Sequence, residues 1–207
     1  EAALTEEKLR KGNHYENAKQ YYTNLFEGCD ADCLPGGDLV EGEQAESDKV
    51  TVYGEYVTSE DVAYYCETNK LSMNGFFVAV FGLVLSKYSQ KEQSVFTTIY
   101  NGRNDSRMNR MVSMLVKTFP VLCDVSKDKA NQTICDYVAQ TGNQLMESMS
   151  NDIYSFSEIS RAFGIPADVM FAYQGEDFNF DVICGEKTHM HDLSLEDAKA
   201  ALNVNVF

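Results

Sequence analysis

Helix-like and strand-like stretches interleave along this chain, which predicts the α/β class: a mixed β-sheet with helices packed on it. Three observations carry that expectation. Apolar residues recur at helical spacing in His14–Phe26 and again from Ile134 to Met149. Short β-branched runs such as "QSVFTTIY" stand between the helical stretches. The longest apolar run, Gly75–Leu85, falls short of the ~20 residues that span a bilayer and suits a buried helix.

Each element has its own warrant. Tyr15, Ala18, Tyr22, Leu25 and Phe26 share one helical face. The next stretch, residues 27–49, holds eight acidic residues, four glycines and a proline, and predicts a solvated acidic loop. "KVTVYGEYV" (Lys49–Val57) alternates and predicts a strand. Ser59, followed by Glu60 and Asp61, predicts a capped helix running to about Asn69. Ser72 caps the next helix, "MNGFFVAVFGLVLSKYS", which is apolar on nearly every side and is expected to be deeply buried.

"QSVFTTIY" and "KTFPVLCDV" follow as strands, with Pro120 restricting the second to a sheet edge or a strand start. Ile134, Val138, Thr141, Leu145 and Met149 mark a helix over Lys129–Ser150, and a short helix, Phe156–Phe163, ends at Gly164 and Pro166. "DVMFAYQG", "FNFDVIC" and "ALNVNVF" are expected as further strands. Most methionines, Met111, Met114 and Met146 among them, fall on apolar faces as core filler.

The 207 residues are 44% hydrophobic, enough for one core or one large lobe. A net charge of −15 excludes a nucleic-acid binder and disfavours an anionic membrane surface. The six cysteines are expected to be reduced, as in a cytoplasmic protein, and Cys29 and Cys33 lack the second pair or histidine that a zinc site needs. No metal is expected. The polar start at Glu1, without Met or a signal core, and the finish inside a strand pattern predict a fragment of a larger domain.

Three segments, in order, resemble the condensation domains of nonribosomal peptide synthetases. "FFVAVFGLVLSKYSQKEQSVFTTIYNGR" is similar to the family's buried helix, strand and terminal Gly-Arg, here Gly102-Arg103. "MVSMLVKTFPVL" resembles the motif (I/V)GxFVNTLPLR: Val112, Val116, Thr118 and Pro120 agree, while Ser113 and Lys117 replace its Gly and Asn. "SNDIYSFSEISRAFGIPADVMFAYQG" resembles HQDxPFExL followed by the strand VMFxFQN, with Asp152, Phe156, Glu158, Met170, Phe171 and Gln174 matching in kind. "HYENAKQYYTNLFEG" and "AKAALNVNVF" are similar to the YWxxQLxG and AKFDLTL segments.

The resemblance implies a chloramphenicol-acetyltransferase-like two-layer sandwich, of which residues 1–207 form the C-terminal lobe. The family's HHxxxDG signature does not occur here: the three histidines are His14, His189 and His191. The implied reaction is amide-bond formation between thioesters carried on phosphopantetheine arms, with no cofactor bound directly and no catalytic residue in this chain, so the isolated chain is expected to be inactive. The implied partners are the N-terminal lobe of the same domain, peptidyl carrier proteins and a neighbouring adenylation domain.

Arg103, Lys117, Thr118 and Gln174 are the implied tunnel-lining candidates. Arg103, Arg107 and Arg110 form a basic cluster in an acidic chain, suited either to a carrier or its phosphate, or to pairing with the chain's own carboxylates. Asp152 and Glu158 are explained by helix capping, and His189 and His191 by a surface turn. Other implied functions are a coenzyme-A-dependent acyltransferase or epimerisation lobe, and a noncatalytic recruiting module.

Overall fold

A computed structural model describes residues 2–31, 49–103, 108, 111–126, 131–175, 182–183, 185–188 and 200–207. Its elements are α1 (Ala2–Arg10), α2 (Asn13–Phe26), α3 (Ser59–Asn69), α4 (Met73–Tyr88), β1 (Gln93–Tyr100), β2 (Lys117–Asp124), α5 (Ile134–Ser150), α6 (Phe156–Phe163), β3 (Val169–Tyr173), β4 (Val182–Ile183), β5 (Glu186–Lys187) and β6 (Leu202–Val206). Four strands form one mixed sheet in the order β2-β1-β3-β6: β2 runs antiparallel to β1, while β3 and β6 are parallel to it. β4 and β5 make a separate two-stranded ribbon.

β1 lies inside the sheet, and its residues from Ser94 to Thr98 are all buried. α4 presses on this strand pair through Gly82, whose carbonyl accepts from Ser94 Oγ at 2.8 Å. A Cβ at Gly82 would stand 2.3 Å from Cys123 Sγ, so only glycine fits there. α4 also crosses α5 closely, since a Cβ on Gly75 would stand 3.1 Å from Gly142 Cα. Phe81 stacks on Phe171 and meets Phe96 edge-on, with ring centroids 4.9 and 4.8 Å apart.

A second aromatic group joins α2 to α5 and α6. Tyr22 and Phe26 are buried, and Phe26 packs against Phe163 of α6. Tyr22 donates to Ser148 O at 3.4 Å, and Tyr21 donates to Gln144 O at 3.2 Å. Burial pushes the Tyr21 phenol up to about 12 and raises Tyr22 further. Tyr137 of α5 donates to Ala79 O of α4 at 3.1 Å, and burial raises its phenol too.

The outer side of β2 is closed by the protein itself. Leu122 donates its backbone N–H to Gln144 Oε1 at 2.9 Å, and its carbonyl accepts from Gln144 Nε2 at 2.8 Å. Leu122 therefore points its backbone away from β1, and so does Pro120, two residues earlier. The proline forfeits no ladder bond. This is why β2 tolerates it at the sheet edge that the sequence predicts.

Several expectations need correction. Lys49–Val57 is not a strand: Val50, Val52, Tyr53, Tyr56 and Val57 lie exposed, and no described edge runs beside them to pair with. Thr58, not Ser59, caps α3, because its hydroxyl accepts from Asp61 N–H while Asp61 accepts from Thr58 N–H. α5 starts at Ile134 rather than Lys129, since Thr133 and Asp136 form the same reciprocal cap.

α4 buries only one face, Gly75, Val78, Ala79, Gly82 and Leu85, leaving Val80, Leu83 and Val84 exposed. A helix laid on a sheet has one side covered, whatever its composition. Met111, Met114 and Met146 are exposed rather than core residues. Of "FNFDVIC", Val182–Ile183 is the described strand. α1 was not expected from the sequence. The acidic loop lies largely outside the described residues, as do Cys33, Cys184, His189 and His191.

Candidate functional site

Strand direction gathers the candidate residues. β1 runs out into Asn101-Gly102-Arg103, and antiparallel β2 begins beside that exit, with Lys117 opposite Tyr100 and Thr118 opposite Ile99. β3 runs parallel to β1 and leads into Gln174. Arg103, Lys117, Thr118 and Gln174 thus share one end of the sheet, the carboxyl ends of β1 and β3. In parallel α/β arrangements this is where ligand sites form.

Glycine is required at the exit of β1. Gly102 has φ +66°, and a Cβ there would stand 1.9 Å from Leu115 O. Arg103 then folds back over its own loop: Nη1 donates to the Met108 and Met111 carbonyls, the latter at 3.1 Å, and its N–H donates to Asn101 Oδ1 at 3.0 Å. Gly-Arg is therefore a loop-closing unit, with the guanidinium bracing the segment that leads to β2. Around it Met111, Val112, Met114 and Val116 are exposed.

Lys117 is held from two sides. Its Nζ lies 3.1 Å from Asp152 Oδ2 and donates to Asp152 O at 3.4 Å, while the Tyr100 hydroxyl donates to the same Oδ2. Asp152 is thus the counter-ion of Lys117 and not a helix cap, which corrects the sequence reading. The pair is partly open, with side chains 36% and 21% exposed, so water screens it. Register explains how Lys117 and Tyr100 meet. The part of Asp152 was not legible, because it comes from the turn after α5. Thr118 and Gln174 are half-buried; Gln174 donates its backbone N–H to Val206 O at 2.8 Å, and neither side chain has a hydrogen-bond partner among the described residues.

Glu158 does cap α6, accepting from Ser155 N–H at 3.0 Å and Ser155 Oγ at 2.5 Å. It also takes both N–H···O bonds of a bidentate contact with Arg10 Nη2, at 2.6 and 2.7 Å, and one from the Tyr15 hydroxyl at 2.7 Å. Burial opposes the charge, but the bonds from Arg10, Ser155 and Tyr15 outweigh it and hold the carboxyl at about 2. This clasp joins α1 and α2 to α6. It is a structural joint at a motif position.

Arg107 and Arg110 lie outside the described residues, so the basic cluster is represented by Arg103 and Lys117. Among the described residues no group of three or more His, Cys, Asp or Glu side chains is placed to hold a metal, and Cys66 and Cys135 are free thiols. Among them too, no single helix is long and apolar enough to cross a membrane.

The mixed sheet, its helices and the clustered strand ends define a chloramphenicol-acetyltransferase-like α/β sandwich. The chain matches the Condensation domain family over residues 3–205, and it belongs to that family. It is 24% identical over 125 residues to bacitracin synthase 1 of Bacillus licheniformis, covering 60% of this chain and 2% of that protein. It is 29% identical over 115 residues to HC-toxin synthetase of Cochliobolus carbonum, covering 53% of this chain and again 2% of the relative.

Among solved structures, the X-domain from teicoplanin biosynthesis superposes with TM-score 0.68 at 16% identity, covering 96% of this chain and 47% of that one. The first condensation domain of the calcium-dependent antibiotic synthetase gives 0.62 at 14% identity, covering 82% and 39%. These likenesses bear on the fold. The chain spans a small part of its curated relatives and less than half of these solved chains.

Proposed function

We propose that these residues are the C-terminal lobe of a nonribosomal peptide synthetase condensation domain, and that the lobe supplies the floor of a tunnel where two carrier-bound acyl groups meet. In the reaction, the acceptor's amine nitrogen bonds to the donor's thioester carbonyl carbon, the carbon–sulfur bond breaks, and the amine's proton leaves as the thiol is released. Holding the two reactants in attack geometry supplies most of what such aminolysis needs. The observation that carries this reading is the convergence of Arg103, Lys117, Thr118 and Gln174 on one end of the sheet.

In this reading Thr118 and Gln174, whose side chains have no hydrogen-bond partner among the described residues, face the pantetheine amides or the aminoacyl group. Arg103, whose guanidinium is bonded to neutral carbonyls, makes the approach positive for a phosphate or an acidic carrier, while the charge of Lys117 is offset by Asp152. The phosphopantetheine arms belong to the carriers, and the reacting proton passes to an imidazole of the family's HHxxxDG signature on a partner lobe, with an adenylation domain as neighbour.

The test is single-turnover coupling of loaded carriers. The 207-residue chain alone should give no product. A polypeptide that also carries HHxxxDG should couple them, and Thr118→Val or Gln174→Leu in it should slow product formation about tenfold or more. Coupling by the chain alone would reject the assignment. A second reading, a noncatalytic recruiting lobe, is favoured by Lys117: it replaces the family's asparagine, and its ammonium is committed to Asp152. Failure of the longer polypeptide to couple any carrier pair would select it.

A further inference from the structure

The dipeptide Asn-Gly occurs twice in this chain, at Asn74-Gly75 and at Asn101-Gly102. In it an asparagine amide is open to attack by its own backbone, because the nitrogen that follows belongs to a residue with no side chain to obstruct it. The fold treats the two copies differently. In α4, Gly75 donates its N–H to Ser72 Oγ at 2.9 Å, and a Cβ on Gly75 would stand 3.1 Å from Gly142 Cα. Its nitrogen is held in the first turn of a packed helix and cannot bend toward the Asn74 amide until that turn opens.

Asn101 lies just past the end of β1 and is exposed. The ladder between β1 and β2 ends with Tyr100 opposite Lys117, so the nitrogen of Gly102 falls outside it. Arg103 N–H donates to Asn101 Oδ1 at 3.0 Å, which folds the asparagine side chain forward over its own backbone. That hydrogen bond closes a ring containing both Asn101 Cγ and the Gly102 nitrogen. The two atoms that would bond are thus gathered in one tight turn. The donor also sits on the oxygen that takes up negative charge when Cγ is attacked.

We propose that Asn101-Gly102 is a self-modification site of the folded protein. The Gly102 nitrogen gives its proton to solvent base and bonds to Asn101 Cγ. The carbon–nitrogen bond of the side-chain amide breaks, and the departing nitrogen takes a proton from water and leaves as ammonia. Water then opens the resulting cyclic imide at either carbonyl, giving aspartate or isoaspartate at position 101. Nothing is oxidised or reduced, and solvent is the sole co-reactant.

The two products differ in what they do to the loop. Aspartate keeps an acceptor for Arg103 N–H. Isoaspartate routes the backbone through Cβ and Cγ, which makes it one methylene longer just before Gly102. Gly102 cannot shift to absorb that length, because it has φ +66° and a Cβ there would stand 1.9 Å from Leu115 O. The strain falls on the bonds from Arg103 to the Met108 and Met111 carbonyls. Within the site proposed above, either product adds a negative charge beside Arg103 and opposes a phosphate or an acidic carrier. The chemistry itself does not depend on that reading.

The test is peptide mapping by mass spectrometry of the purified 207-residue chain held in mildly alkaline buffer, with an isoaspartate-specific methylation assay on each peptide. While the chain is folded, the Asn101 peptide should convert at least about tenfold faster than the Asn74 peptide, with isoaspartate among its products. In urea, where neither dipeptide is held, the two rates should converge. Asn101→Gln, whose longer side chain must close a larger ring, should abolish conversion at 101 and leave that at Asn74 unchanged. Equal rates at the two sites in the folded chain overturn the proposal, and so does an Asn101 that stays intact. Aspartate without isoaspartate overturns it as well, because direct hydrolysis of the amide would then be the route.

Discussion

β2 and β6 bound the same four-stranded sheet, but one edge is closed by the protein's own side chains and the other has no such partner among the described residues. On β2, Pro120 has no outward N–H to expose, and Gln144 of α5 takes up both the N–H and the carbonyl of Leu122. On β6, the backbone groups of Asn203 and Asn205 point away from β3 and have no partner among the described residues. The difference teaches that edge protection on β2 comes from one proline in the strand and one side chain placed by a neighbouring helix, not from strand length. It also bears on the proposed site: β2 must hold its register, because Lys117 and Thr118 stand at its start.

The comparison can be broken most forcefully at Gly102, which fixes how the chain enters the closed side. Gly102→Ala combines a positive φ with a collision against Leu115 O, and should cost about 2–5 kcal/mol. Urea denaturation measures it, and an unchanged midpoint would mean that the loop before β2 is free to move. Gln144→Ala comes next. It leaves two backbone groups at a half-buried edge without partners, for about 1–3 kcal/mol, and should make the variant more prone to aggregate on warming.

A smaller effect is expected at the Glu158 clasp. Its folded value, about 2, lies below the ordinary 4.5, so its contribution is present above about 4.5 and is lost as pH falls toward 2. Glu158→Gln should lower stability by roughly 1 kcal/mol at neutral pH, by losing the cap and the Arg10 contact. The gap from wild type should narrow steadily on acidification. A constant gap from pH 6 to 2 would show that the charge contributes nothing. Least of all, Asn205→Ala on the β6 edge should stay within about 0.5 kcal/mol. A cost like that of Gln144→Ala would erase the contrast between the edges.

Much of this was legible in the sequence. Helical spacing in α2 and α5, the β-branched run of β1 and the proline of β2 each report a local rule, and the structure obeys them. The end of the sheet at which Arg103, Lys117 and Gln174 gather follows from the order of three motifs. What stayed hidden depends on neighbours. Val50–Val57 has every local mark of a strand, but a strand exists only where an edge accepts it. α4 is apolar all round, yet the sheet covers one side of it. Asp152 reads as a helix-start carboxylate until the fold brings Lys117 and Tyr100 to it.

The phenols of buried Tyr22 and half-buried Tyr21 and Tyr137 set an alkaline limit on this protein. Each is kept protonated well above its ordinary 10, so the native state retains protons that the unfolded chain releases as pH climbs past that value. Base therefore pulls the equilibrium toward the open chain. With no tryptophan among its 207 residues, phenolate absorbance would report that transition directly, and the late-titrating fraction of the twelve tyrosines would be a spectroscopic count of those sealed between the helices.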